Sequence, residues 1–298
     1  MARHRLKHYV EYIPILLILS VLKILPYRLG VAFGSFLGMV GWSVLGIRKD
    51  VALENLRRCF PDKYGIKDLE KIGLESYKNF GRSMLEYALI TKLRDGRISR
   101  YVRVENRERF DKLIGEGKGC IGVTGHFGSW EVAGAILSNS WPAYIDFLVG
   151  EQHNLLVNNL MNRNRHLMGI GTIEMGMAAR GVLASVRRGK MVAMLSDQDA
   201  GKDGVIIYLF GLPASTPKGP AAFALKEKKP IAMAFIIREK GPYHRMICEK
   251  PIVIKPSGNK DDDIKVLTQK YTDVLESYIR QYPDHWFWAH RRFKSTLK

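Results

Sequence analysis

From residue 119 onward the chain alternates short apolar runs with longer helix-periodic stretches, and this alternation constrains the fold most. "GCIGVTG", "AYIDFLVG", "GTIEM", "MVAMLSD" and "IAMAFIIRE" read as strands. Between them "SWEVAGAILS", "EQHNLLVNNLMNRNRHLMG", "MAARGVLASVRRGK" and "KGPAAFALKEKK" read as helices. "HRMICEKPIVIK" adds a strand, bent at Pro251. "DDDIKVLTQKYTDVLESYIRQY" adds a helix with acids in its first turn and Arg280 in its last, as the helix dipole prefers. The pattern predicts an α/β fold with a mostly parallel central sheet flanked by helices. Ligands then sit at the carboxyl ends of strands. The 298 residues suit one large α/β domain, or one domain plus an appendage.

The appendage is expected in residues 1–50. Arg3, Arg5 and Lys7 precede an apolar run from Val10 to Tyr27 that carries only Glu11 and Lys23. After Pro26, nineteen residues from Leu29 to Ile47 carry no charge, nearly enough helix for a hydrocarbon core of roughly 30 Å. Gly30, Gly34 and Gly38 form a stripe of the kind that lets membrane helices approach closely. Arg48 and Lys49 follow. Basic clusters on both sides predict a membrane-anchoring hairpin, in or through the membrane, with both ends cytoplasmic; the alternative is one span plus an interfacial helix. Residues 51–298 then form a single α/β domain. The competing reading is a soluble domain whose buried helices are unusually apolar.

Lys and Arg number 47 against 29 Asp and Glu, a net charge of +18, which favours anionic partners: nucleic acid, anionic lipid or an acidic protein. Three widely spaced cysteines with no CxxC pair predict reduced thiols and no zinc knuckle. "HWFWAHRRFK" interleaves aromatics with cations. That suits base stacking or the membrane interface, and the apolar N-terminus favours the membrane over nucleic acid.

Three strand ends carry candidate chemistry: "TGH" at Thr124–His126, "SDQD" at Ser196–Asp199, and the loop "YLFGLPASTPKG" before a helix. His126 and Glu131 are five residues apart, which on one helix would set them about 140° apart. They can meet only if His126 lies in the turn and Glu131 in the first turn of the next helix. Gly125 and Gly128 would let that turn fold tightly. A carboxylate on one ring nitrogen fixes the tautomer and makes the other nitrogen a base for a hydroxyl. Helix-initiating N–H groups nearby suit an oxyanion. The spacing alone equally allows a loop histidine and a dipole-placed acid. A zinc site is disfavoured because the HExxH spacing is missing. Asp197 and Asp199 suit a metal, a substrate or simply a loop, and Arg163 and Arg165 suit phosphate or a solvated helix face.

Taken in order, "LPYRLG", "NLRRCFPD", "GHFGSWE", "NRHLMG", "LSDQDAG", "FGLPASTPKGPAAFAL" and "YPDHWFWAHRRFK" resemble the bacterial lipid A biosynthesis acyltransferases, the lauroyl/myristoyl transferases of the lysophospholipid acyltransferase superfamily. The resemblance runs nearly end to end. It implies a glycerol-phosphate acyltransferase-like fold and an enzyme at the cytoplasmic face of the inner membrane. It implies transfer of a fatty acyl chain from acyl-acyl carrier protein to a hydroxyl of a lipid A precursor or other glycolipid, with no cofactor and no metal. On this reading His126 is the catalytic base and Glu131 its partner carboxylate. Arg165, Asp197 and Asp199 match blocks that bind substrate, and Thr216 and Gly219 match a block near donor or acceptor. "DQDAG" stands where the glycerol-phosphate branch has "PEGT", which disfavours glycerolipid substrates. Three further readings stay open: a relative acting on another acceptor, such as a mannoside; a hydrolase using the same pair on water; and a non-catalytic basic protein of membranes or nucleic acid.

Overall fold

The structure, a computed structural model, describes residues 6–297; the predicted basic residues Arg3 and Arg5 lie outside them. Four helices come first: α1 (Leu6–Ile24), α2 (Tyr27–Ser43), α3 (Lys49–Cys59) and α4 (Ile66–Ala88). Then come β1 (Val102–Glu105), α5 (Arg107–Gly115), β2 (Cys120–Thr124), α6 (Trp130–Ser140), β3 (Ile145–Val149), α7 (Leu155–Leu167) and β4 (Gly171–Glu174). The chain continues through α8 (Ala178–Arg187), β5 (Met191–Leu195), β6 (Val205–Leu209), β7 (Leu212–Thr216), α9 (Gly219–Glu227), β8 (Ile231–Lys240), β9 (Tyr243–Cys248) and α10 (Lys260–Gln281).

Seven strands form the main sheet in the order β1-β9-β8-β2-β5-β3-β4. The five strands from β8 to β4 are parallel; β9 runs antiparallel to β8, and β1 follows β9. The predicted α/β fold with a mostly parallel sheet is therefore present. The segment predicted as a loop from Tyr208 to Gly219 is instead largely a β6–β7 hairpin, turned at Phe210 and Gly211, both at positive φ.

Helices cover both faces. On one, Val132, Ala135 and Ile136 of α6 pack with Cys120, Met191 and Ala232. On the other, α8, α9 and α10 cover Ile121, Val123 and Val192. The chain leaves β2 toward α6 and leaves β5 toward the hairpin and α9. Two neighbouring parallel strands thus send their connections to opposite faces, which opens a crevice at their carboxyl ends. Thr124 and Leu195 are register partners there, so the residues that follow them emerge side by side.

The expected membrane crossing is not found: among the described residues no helix is long and apolar enough to span a bilayer. The uncharged run continues to Ile47, but α2 ends at Ser43 after 17 residues, about 26 Å of rise. One side of α2 is also already occupied. A Cβ on Gly34 would meet the Gly81 carbonyl of α4 at 2.5 Å, and one on Gly38 would meet the Tyr77 carbonyl at 2.1 Å. The glycine stripe is a close helix crossing within the folded chain, with Trp42 edge-on to Tyr77 beside it. The remaining surface is apolar and open to solvent: Val10, Ile13, Leu17, Val21 and Ile24 form one exposed stripe along α1, and Leu29 and Phe36 are exposed on α2.

Candidate active site

The carboxyl ends of β2 and β5 put Gly125-His126 beside Ser196-Asp197. His126 Nδ1 lies 2.8 Å from Asp197 Oδ1, and the His126 backbone N–H donates to Oδ2 at 2.7 Å. Trp286 Nε1 donates to the same oxygen at 2.8 Å. A Cβ on Gly125 would fall 2.9 Å from the Asp197 carboxylate, and one on Gly128, at φ +59°, would strike the Ile236 carbonyl at 2.1 Å. Glycine at both positions lets the turn press against its neighbours.

Asp197 is buried. Burial alone would raise its pKa, but the charge of His126 and the hydrogen bonds from His126 and Trp286 outweigh it and hold the carboxyl down to about 2. Burial likewise disfavours the charged ring of His126, yet the Asp197 carboxylate, its hydrogen bond and the charge of Glu131 together raise the ring's pKa above the ordinary histidine value. With Nδ1 engaged by a carboxylate, Nε2 is the nitrogen left for chemistry. Its hydrogen-bond neighbour is Gln198 Nε2 at 3.4 Å, too long for a strong bond. Trp130 stands edge-on to the ring at 5.0 Å.

The partner expected for His126 was Glu131; the carboxylate found there is Asp197. Glu131, in the first turn of α6, instead forms a bidentate pair with Arg165 of α7, Nη2–Oε1 2.5 Å and Nε–Oε2 3.1 Å. Arg165 is also held by Asn162 Oδ1 at 3.0 Å and lies over the Tyr87 ring. The local spacing of H-x4-E could not reveal this, because Asp197 is brought in by strand pairing from 71 residues away.

A cavity of about 340 Å³ begins at His126, Glu131 and Arg165 and runs along the α6 face of the sheet. Its floor follows from the register. Gly122 is paired with Ala193 on one side and Ala232 on the other, so three adjacent strands present their smallest side chains in one row. Phe110, Leu137 and Met191 line it farther down. The strand beneath the cavity rises about 13 Å from Cys120 to Thr124.

The other expected site residues lie elsewhere. Thr216 is wholly buried, and its Oγ1 accepts a hydrogen bond from the buried guanidinium of Arg292. Gly219 opens α9 on the opposite face of the sheet, and neither residue lines the cavity. Asp199 accepts from the Ser295 hydroxyl at 2.6 Å, in a separate recess. Among the described residues no three His, Cys, Asp or Glu side chains gather as metal ligands.

Sequence reasoning missed residues 285–287. The Phe287 N–H donates to the His126 carbonyl at 3.0 Å, the Gly128 N–H donates to the His285 carbonyl at 2.7 Å, and Trp286 reaches Asp197. Trp286 and Trp288 are buried rather than set at a membrane interface. The usable signal was the density of large aromatics in a short segment, which also marks a core plug.

The sequence matches the family model for "Bacterial lipid A biosynthesis acyltransferase" over residues 2–295. It is 22% identical to the "Lipid A biosynthesis palmitoleoyltransferase" of Escherichia coli (strain K12) over 280 residues, 91% of this chain and 87% of the relative. The "Lipid A biosynthesis acyltransferase" of Shigella flexneri is 22% identical over the same shares. The "Lipid A biosynthesis lauroyltransferase" of Escherichia coli (strain K12) is 23% identical over 275 residues, 91% of this chain and 87% of the relative.

Proposed function

The chain belongs to the bacterial lipid A biosynthesis acyltransferases, and from that premise we propose that it transfers a fatty acyl chain from acyl-acyl carrier protein to a hydroxyl of a lipid A precursor, with His126 as general base. The observation that carries the mechanism is an imidazole tied to a buried carboxylate at the entrance of an apolar cavity, with its second nitrogen left for substrate.

The acyl chain lies in the cavity over the row Ala232–Gly122–Ala193, with its thioester carbonyl beside His126. His126 Nε2 takes the proton of the acceptor hydroxyl as that oxygen attacks the carbonyl carbon. The tetrahedral oxyanion collapses, the carbon–sulfur bond breaks, and the imidazolium returns its proton to the departing thiolate. The products are an ester and the free thiol of the carrier. Asp197 fixes the ring and stabilises its charged form. The first N–H groups of α6 supply positive potential where the oxyanion forms, and the Glu131–Arg165 pair ties α6 to α7 at the cavity mouth.

Two features support membrane association and the carrier-bound donor. Helix α1 flanks the cavity, since Asn154 donates to the His8 carbonyl and to Glu11 close to Gln152 on the cavity wall, and its apolar stripe is open to solvent. It suits a helix lying in the bilayer surface, at the cytoplasmic face of the inner membrane. The net charge of +18 suits both an acidic carrier and anionic lipid.

The test is product mass spectrometry with acyl-acyl carrier protein and lipid A precursor in micelles. His126→Ala should cut ester formation by at least about 10²-fold while the variant stays folded. Equal turnover by the variant would end the mechanism. Free fatty acid unchanged on adding acceptor would mark a hydrolase instead.

A further inference from the structure

A second cavity, of about 350 Å³, is lined by Arg48, Asp199, His290, Arg291 and Lys294. No ion pair holds Arg48, Arg291 or Lys294 among the described residues, whereas Arg165 and Arg238 each form a bidentate pair, with Glu131 and Glu86 respectively. The one acid, Asp199, is occupied by the Ser295 hydroxyl at 2.6 Å, with the Ser295 and Gly201 N–H groups at 3.4 and 3.3 Å. His290 Nδ1 is shielded from solvent and has no hydrogen-bond partner among the described residues. The cavity adjoins the His126 site: Asp199 lies two residues beyond Asp197, and His290 three beyond Phe287, whose N–H donates to the His126 carbonyl at 3.0 Å. Arg48, in the left-handed backbone region at φ 51°, follows Val44, Leu45 and Ile47, which are 74, 65 and 52% exposed, so the cavity borders an open apolar surface.

We propose that this cavity binds a phosphoryl group on the headgroup of the acceptor lipid and so presents the neighbouring hydroxyl to His126. The inference rests on the acyltransferase reading and adds a subsite to it. Two guanidinium forks and an ammonium, set against the single carboxylate of Asp199, leave the cavity net positive and suit a phosphate dianion. The apolar residues before Arg48 put the lipid chains beside the membrane while the phosphate reaches the cavity. Phosphate could also come from the phosphopantetheine arm of the donor; on the acyltransferase reading the acyl chain lies in the cavity on the α6 face, lined by other residues, and the KM for donor separates the two sources.

The experiment measures binding of a radiolabelled disaccharide lipid A precursor in detergent micelles, before and after phosphatase treatment, alongside steady-state kinetics. The wild-type protein should bind the phosphorylated lipid at least about tenfold more tightly. Arg291→Ala/Lys294→Ala and Arg48→Ala should lose that preference and raise the KM for acceptor about tenfold, with the KM for acyl-acyl carrier protein unmoved. All three side chains are solvent-exposed, and far-UV circular dichroism checks that the variants fold. Equal wild-type affinity for both lipids, or variants that keep the preference, would overturn the inference. So would a rise in donor KM instead, which would assign the phosphate to the carrier. Absence of transfer by the wild type would sink the acyltransferase reading alone, because the binding comparison judges the cavity without turnover.

Discussion

The His126–Asp197 pair makes a signed statement about pH. A general base works in its neutral form, so kcat/KM should climb as the ring loses its proton. Because Asp197 raises the ring's pKa, that limb should lie above the ordinary histidine value of about 6.5. Asp197→Asn removes the charge and leaves burial, which lowers the pKa, as the largest influence. The limb should move to lower pH and the plateau should fall by about 10²–10⁴-fold, read from kcat/KM between pH 5 and 9. A limb that stays in place would mean that another carboxylate sets the ring. His126 and Asp197 were both legible as strand-end residues. Their pairing was not, since it depends on β2 and β5 being neighbours although β3 and β4 lie between them in the chain. Glu131 was read correctly as a first-turn acid of α6 but given the wrong partner, because Arg165 arrives from a separate helix.

Two elements invite tests of their own. The crossing of α2 and α4 leaves no room for a side chain, so Gly38→Leu should drive the helices apart and cost about 1–3 kcal/mol, seen as a lower urea midpoint. The row of small residues under the cavity should set chain length. Ala232→Leu should shift products toward shorter acyl groups, with discrimination of about 1–3 kcal/mol per misfitted methylene, read by mass spectrometry of the ester. An unchanged product profile would place the chain elsewhere. The alternation of apolar runs and helical periods revealed the parallel strands and their helices. The β6–β7 hairpin escaped because its two-residue turn is Phe-Gly, not the Asn-Gly or Asp-Gly that such turns favour. The α2 stripe was legible as a helix-crossing surface, but small residues do not say which helix they meet.

For the whole molecule, charge and apolar surface should act together at a bilayer. The protein should sediment with anionic vesicles more strongly than with neutral ones. Raising salt should weaken the anionic preference and leave an apolar remainder. Leu17→Glu/Val21→Glu, at positions already open to solvent, should release at least about tenfold more protein without unfolding it. Retention equal to wild type would put the binding surface on another face. The N-terminal composition signalled apolar helices, but it could not show that α2 stops short and spends one side on α4.

The segment around Trp286 carries a consequence of its own. The ring of His126 is fixed by residues far along the chain, 71 positions away at Asp197 and beyond it at Trp286. A chain that stops before residue 286 has the histidine but not its full brace. A half-assembled copy therefore holds an unfixed ring: competence arrives only when folding is finished.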